Sequence, residues 1–473
     1  MVVGDLPREA ELVVIGGGPG GYAAAFRAAD LGMETVLVNE TAELGGECLH
    51  AGCIPSKALL GIAELIAEAS HARAAGVEFG QPTIVPKRLH AWTRASIERL
   101  AKGLGALARD RGVEVIQGRA RFEDSRILVI EGEPPARIRF HHAVLATGSH
   151  PATLPGLDPD APWVWDSRRA LALETVPPRL LVVGGGYIGL ELGSIYSALG
   201  SEVTVVELTE GLMPGVDHDL VNVLARRLAG QFKAIHLKTK LVEAREAGSS
   251  VEVVLQEEGA PSRQEFDRVL VAVGRRPNSA DLGLQRTAVE LTPQGVVLVD
   301  AQRRTTDSHI YAVGDVAGEP MLAHKAIAEG KAAAEAIAGH PAAFEPQAIP
   351  AVVFTDPEVA WCGLTEEGAR AQGIKVKAVT MPWSASGRAV AMGRTDGLTK
   401  LIFDPASSRL LGVGIVGRNA GELIAEGALA VEMAALAEDL AGTIHTHPTL
   451  SETLGEAAEL FLGRPTHLPR PRR

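Results

Sequence analysis

The 473-residue chain is poor in cysteine, has no long apolar run and has no excess of basic charge, and each absence excludes a class of protein. Only three cysteines occur, Cys48, Cys53 and Cys362. That is too few for a disulfide-stapled secreted scaffold. No uninterrupted apolar run reaches the ~18 residues of a spanning helix, so none is expected. The opening MVVGDLPREAELVVIGGG has no basic segment followed by an apolar one and a cleavage site. It reads as a strand running into glycines, and a cytoplasmic location is expected. Lys plus Arg number 46 against 58 for Asp plus Glu, a net charge of −12. A net-acidic chain is a poor candidate for general nucleic-acid binding, which needs a basic face to neutralise phosphates.

What is present fits a globular protein of several cores. Hydrophobic residues make up 46% and charged residues 22%. At roughly 100–200 residues per domain, the length allows about two to four domains. The 52 glycines fall largely in tight clusters, as in turns that cradle phosphates.

Residues 11–15 (ELVVI) form a short β-type run, glycines follow, then a helical stretch ending at Gly32, then a second strand, TVLVNE. This is a strand–turn–helix–strand unit. It returns at 180–207, LLVVGGGYIGLELGSIYSALGSEVTVVE. Between the two lie a helical stretch over roughly 57–110 and a β-rich patch. Prolines near 151–159 mark a first boundary, and 339–350 reads as a linker. Beyond it, VVFTDPEVAWCGLTE, DGLTKLIFD and RLLGVGIVG read as strands and GELIAEGALAVEMAA as a helix. The last eleven residues, GRPTHLPRPRR, read as a frayed, solvated tail.

The first glycine turn, Gly16, Gly18 and Gly21, satisfies G-x-G-x-x-G between a strand and a helix, and Glu40 ends the next strand. Such a turn lets backbone approach a pyrophosphate, the helix N-terminus favours its charge, and a strand-end acid can bond ribose hydroxyls. The second copy is Gly184, Gly186 and Gly189, with Glu207 at its strand end. Glu207 would repel a 2′-phosphate and no arginine follows it, so this site should prefer NAD over NADP. Two such sites imply two cofactors.

Cys48 and Cys53 lie in GGECLHAGCIPSK. Five residues of regular helix rise about 7.5 Å. That exceeds disulfide reach, so the backbone must bend locally for the two to meet. A redox-active pair fits better than a structural staple, because so small a ring stabilises little. Two buried thiols or a metal pair are the alternatives, the metal one weak for want of a second Cys/His pair. Cys362 reads as a core thiol. His445, His447 and Glu452 lie close together in HTHPTLSE. That grouping suggests a general base whose imidazole is oriented by a carboxylate, with a solvent-facing loop as the alternative.

Together these motifs, with ATGSHP, VAVGRRPN, YAVGDVAGEPMLAHKA, PEVAWCGLTE and PWSASGRA, resemble the flavoprotein disulfide reductases along nearly the whole chain. The resemblance implies an α/β chain of two Rossmann-like dinucleotide-binding domains, for FAD and NAD, plus a C-terminal α+β dimerisation domain. Its four regions are 1–150 for FAD, 151–275 for NAD, 276–346 central and completing the FAD site, and 347–473 for the dimer interface. It implies a homodimer in which His447 and Glu452 of one chain complete the active site of the other. It implies FAD contacts from the Gly16–Gly21 turn, Glu40, Cys48, Lys57, Ala120, Gly148, Asp315 and Ala323. NAD contacts would come from Gly184, Gly186, Gly189, Glu191, Glu207 and Gly274, with Glu191 paired to Lys57. Cys53 would be the cysteine nearer the flavin, a buried thiolate of low pKa. The implied reaction is NAD⁺-linked oxidation of dihydrolipoyl groups on the acyltransferase component of 2-oxo acid dehydrogenase complexes. Another NAD(P)H-dependent disulfide reductase of the same family is the alternative. Glu47 and His50 depart from the family pattern, where a small or β-branched residue and an asparagine are commoner.

Overall fold

The computed structural model describes residues 7–132 and 134–469. The leader reading of the first six residues, and the tail reading of Arg470, Arg472 and Arg473, lie outside the described residues.

The first unit begins with β1 (Arg8–Ile15), whose Leu12, Val13 and Val14 are fully buried. Helix α1 (Pro19–Asp30) starts on a proline, which suits a first helical turn because its missing N–H has no partner to lose. It buries an alanine face of Ala23, Ala24, Ala25 and Ala28. Strand β2 (Thr35–Asn39) pairs parallel with β1. The helices α2 (Gly46–Ala51), α3 (Cys53–His71) and α4 (Pro86–Asp110) follow. Strands β3 (Glu114–Gln117), β4 (Arg119–Asp124), β5 (Ile127–Glu131) and β6 (Ala136–Leu145) complete a sheet of order β3-β2-β1-β6-β5-β4.

After β7 (Ser149–Pro151) the chain enters the second unit. It comprises β8 (Val164–Trp165), α5 (Ser167–Leu171), β9 (Arg179–Val183), α6 (Tyr187–Ala198), β10 (Glu202–Val206), α7 (His218–Ala229) and β11 (Ala234–His236). Its parallel sheet has the order β11-β10-β9-β15-β8, with β15 at Arg268–Val271. An antiparallel meander, β12 (Lys240–Ala247), β13 (Ser250–Gln256) and β14 (Ser262–Phe266), precedes β15. The chain leaves through β16 (Arg275–Pro277), which pairs with β7. The two crossings between units are therefore bonded to each other.

The region 276–346 returns to the first unit. Its strand β17 (Ile310–Ala312) joins β6. Its helix α8 (Ala323–Ile337) lies on α1, where a Cβ on Gly330 would come within 2.4 Å of the Gly20 carbonyl oxygen. Only glycine permits that approach. The last region is an antiparallel sheet, β18-β19-β22-β21-β20, with β18 at Ala351–Val353, β19 at Glu358–Gly363, β20 at Lys377–Pro382, β21 at Leu398–Phe403 and β22 at Leu410–Gly417. Helices α9 (Glu366–Gln372), α10 (Gly387–Ala391), α11 (Ala420–Glu432), α12 (Ala437–Gly442) and α13 (Glu452–Phe461) accompany it. Cys362 is a buried member of its core, as expected.

One expectation needs correction. The tail is not frayed over its first residues: Thr466 donates to Glu459, His467 bonds Glu456 at 2.7 Å, and Leu468 packs on the C-terminal core. The helical stretch Gly46–Ala75 is long and apolar enough to cross a membrane by length and composition alone. Its Lys57, Glu64 and Glu68 are nevertheless ion-paired inside the protein, to Glu191, Arg418 and Arg394.

Candidate active site

The bend needed to bring the cysteines together is present. Helix α2 ends at Ala51, Gly52 adopts φ −140° and ψ −112°, and α3 restarts at Cys53. The two sulfurs are free thiols here and interact. The Cys48 thiol bonds the Cys53 sulfur, and that bond together with burial pushes Cys48 far above the usual thiol range. The same bond is the largest cause lowering Cys53, to about 7, against the opposing effect of burial and with help from the Lys57 ammonium. The pair is thus polarised, with the proton favoured on Cys48. Cys53 is the more acidic of the two thiols, as expected, and Cys48 the less acidic. The partner thiol and the Lys57 ammonium support the Cys53 thiolate against the cost of burial.

The cysteine helices bridge the two glycine turns. A Cβ on Gly46, at the start of α2, would stand 2.6 Å from Gly18 Cα, so the first turn and the redox helix touch through two glycines. About one turn after Cys53, Lys57 Nζ donates to both oxygens of Glu191 on α6, at 2.8 and 3.1 Å. Glu191 is 3% exposed, and it also accepts from the Phe354 amide at 3.0 Å. Lys57 lies 4.7 Å from the Phe354 ring centroid. Removing one member of such a buried pair typically costs about 3–5 kcal/mol, because the other charge is stranded.

Both turns are shaped for a pyrophosphate. A Cβ on Gly21 would sit 1.8 Å from the Gly16 carbonyl oxygen, and one on Gly189 would sit 2.1 Å from that of Gly184. Helix and strand close on these positions. By contrast Gly186 faces open space, and Gly18 has only Gly46 Cα, at 3.8 Å. The residues therefore fit two dinucleotides, FAD at the first turn and NAD at the second.

The other expected cofactor residues are distributed as follows. Glu207 is 9% exposed and accepts from the Gly185 amide at 2.7 Å. Its second oxygen accepts from the Thr209 amide at 2.8 Å. Asp315, in a 3₁₀ turn (Gly314–Ala317), accepts from Ser149 at 2.5 Å, and Arg275 donates to the same hydroxyl at 2.7 Å. Gly148 and Gly274 adopt φ +71° and +115° beside the β7–β16 crossing, with open space where a Cβ would be. Ala323 opens α8, and Ala120 is buried on β4 opposite Ile130.

Glu40 is displaced from the place expected of it. It lies past the end of β2, its side chain is 74% exposed, and its nearest charged partner is Arg119 at 3.7 Å. The position matching Glu207 is held by Asn39, whose Oδ1 accepts from the Gly17 amide at 2.9 Å. The sequence carried the signal: Asn39 and Glu207 each fall 23 residues after the first glycine of their turn. Phe354, Ser149 and Arg275 also escaped the sequence reading, because only the fold brings them to Glu191 and Asp315.

Glu47 and His50 find partners outside the cysteine pair. Glu47 bonds Arg168 at 2.5 Å, and His50 Nε2 bonds the Leu44 carbonyl at 3.0 Å. In the last region, His447 Nδ1 bonds Glu452 at 2.8 Å, and the other Glu452 oxygen accepts from the Thr449 amide at 2.7 Å. Burial opposes ionisation of Glu452, but the Thr449 amide and the imidazole outweigh it and hold the carboxyl below its usual value. His447 is 73% exposed on its own chain. His445 is bound separately, to Glu426 at 2.7 Å.

A polarised cysteine pair joining two dinucleotide turns defines a flavin- and nicotinamide-linked disulfide oxidoreductase. The chain belongs to the pyridine nucleotide-disulphide oxidoreductase family, which matches residues 10–330, and the dimerisation domain of that family matches 349–458. Its relatives include the dihydrolipoyl dehydrogenases of Vibrio parahaemolyticus, 46% identical over 98% of this chain and 97% of that one, and of Haloferax volcanii, 44% identical over 99% of each. Among solved structures, LpdA from Mycobacterium tuberculosis matches with a TM-score of 0.87 at 28% identity, over 95% of this chain and 99% of that one. The flavoprotein disulfide reductase RclA from Escherichia coli matches at 0.85 and 27%, over 96% and 99%.

Glu207 leads to a direct expectation for cofactor choice. Glu207→Ala should narrow the NAD⁺ over NADP⁺ ratio of kcat/KM by at least about tenfold, since it removes the charge that repels a 2′-phosphate. Steady-state kinetics with both nucleotides read this ratio, and an unchanged ratio would remove Glu207 from that role.

Proposed function

We propose that this chain, as a homodimer, oxidises protein-bound dihydrolipoyl groups to lipoyl groups and reduces NAD⁺, serving 2-oxo acid dehydrogenase complexes. The observation that carries the reading is the polarised Cys48–Cys53 pair on helices that join the first glycine turn to Lys57–Glu191 of the second unit. The Gly16–Gly21 turn and Asp315 would hold FAD, which would supply two-electron redox chemistry linking the cysteine pair to NAD⁺.

The chain's own groups account for the thiol chemistry. The Glu452 carboxylate accepts a hydrogen bond from Nδ1–H of His447, which leaves Nε2 as the basic nitrogen. Nε2 takes a proton from one substrate thiol, because the thiolate is the nucleophile. The thiolate attacks Cys48 Sγ of the oxidised pair, and Cys53 leaves with the bonding electrons. Its low pKa and the Lys57 ammonium make it the better leaving group. The second substrate thiol then attacks the substrate sulfur bound to Cys48 and closes the lipoyl disulfide. Cys48, whose thiol form is strongly favoured, leaves and takes the proton of that second thiol, so one substrate proton ends on Cys48 and the other on the His447 imidazolium. The substrate loses two electrons and two protons, and the cysteine pair gains both electrons.

Anaerobic mixing of purified protein with dihydrolipoamide, then with NAD⁺ or NADP⁺, tests the reading. Reduction by the dithiol followed by NADH formation, with NAD⁺ preferred, is expected. Silence toward dihydrolipoamide with reduction by NADPH would move the chain to another disulfide substrate.

A further inference from the structure

The two strand ends perform one task with different chemistry. Asn39 and Glu207 each accept from the second glycine amide of their turn, at 2.9 and 2.7 Å. Their remaining polar atoms point to opposite uses. Glu207 accepts again, from the amide and hydroxyl of Thr209 at 2.8 and 2.9 Å. Asn39 instead donates: Nδ2 reaches the Thr41 carbonyl at 2.8 Å, the Thr41 hydroxyl at 3.0 Å and the Glu43 carbonyl at 3.0 Å. An ionised carboxylate has no proton for those carbonyls.

The loop held by Asn39 leads straight into the redox helix. Gly45, which caps α2, donates its amide to the Gly17 carbonyl at 2.8 Å. His50, on α2 itself, reaches back to the Leu44 carbonyl at 3.0 Å. A Cβ on Gly17 would meet Leu44 at 2.8 Å and the Asn39 amide carbon at 2.9 Å, so turn, asparagine and loop are in close contact. Glu40 makes none of these bonds and lies 74% exposed beside Arg119.

We propose that Asn39 is a positioning residue: it couples the first dinucleotide turn to the loop that aims Cys48, and it offers the adenosine ribose of FAD a neutral strand end. The inference rests on the reading of the first site as the FAD site. Charge-based screening of the ribose then belongs to the second site alone, where Glu207 is a carboxylate.

Asn39→Asp is nearly isosteric and keeps an oxygen for the Gly17 amide, but it turns the donor into an acceptor facing two carbonyls. FAD titration of the apoprotein should show a dissociation constant raised several-fold, up to about tenfold, the scale of one or more lost hydrogen bonds with the acceptors left facing a carboxylate. Iodoacetamide alkylation of the reduced cysteines should also become several-fold faster in the apoprotein, because the loop before α2 is freed. Glu40→Gln should change both readouts less than about twofold, as surface substitutions do. If Asn39→Asp does not fold, Asn39→Ser, which keeps a hydroxyl donor, replaces it, with the same directions and smaller size. FAD binding by Asn39→Asp within twofold of native, or equal loosening by Glu40→Gln, overturns the assignment. If native apoprotein takes up no FAD, the FAD reading fails, and the alkylation arm alone decides whether Asn39 holds the loop.

Discussion

Cys48→Ser should abolish dihydrolipoamide oxidation, by at least about 10⁴-fold, while NADH oxidation by an artificial electron acceptor persists. The two activities separate because they draw on different parts of the chain. The dithiol reaction must pass through a covalent bond to the Cys48 sulfur, and serine cannot form it. Nicotinamide oxidation draws on the second turn, Glu207 and the Lys57–Glu191 pair, none of which Cys48 holds in place. Cys53→Ser should be as severe for the dithiol, because no leaving thiolate remains beside Lys57. Dithiol turnover by Cys48→Ser above about one per cent of native would exclude the exchange role, since a nucleophile knockout leaves far less. Loss of both activities together would point instead to a chain that no longer assembles its cofactor sites.

Much of this site was legible from spacing. The glycine turns announce themselves because close approach of backbone to backbone admits no other residue, and Gly21 against the Gly16 carbonyl is the physical cause. The cysteine motif implied a bend, and the bend lies at Gly52. The Lys57–Glu191 pair, 134 residues apart, entered only through the family resemblance, since no local pattern encodes a contact between α3 and α6. Glu40 shows where motif reading slips. An acid next to a strand end looks sufficient in sequence, yet the pleat gives adjacent residues opposite directions, and it is Asn39 that reaches Gly17. Strand β20 and helices α9, α10, α12 and α13 were also not read, being short segments over which a periodicity hardly shows.

The exposure of His447 makes a second large effect testable at the level of assembly. The imidazole is 73% exposed on its own chain. It lies within the dimerisation domain, which also exposes Leu429, Met433 and Ile444, the last at 97%. A base so placed serves best across an interface that covers it. His447→Gln alone should slow dihydrolipoamide oxidation by about 10²–10⁴-fold, the usual worth of a positioned general base. The informative experiment mixes His447→Gln chains with Cys48→Ser chains, unfolded and refolded together. If the base acts across the interface, each mixed dimer holds one site with native Cys48 from one chain and native His447 from the other. Equal mixing makes half the dimers mixed, so about a quarter of native activity should return. If the base acts within its own chain, every site lacks one of the two residues and no activity returns. Refolding each variant by itself supplies the baseline, and a mixture no more active than that baseline would place His447 back on its own chain's cysteines.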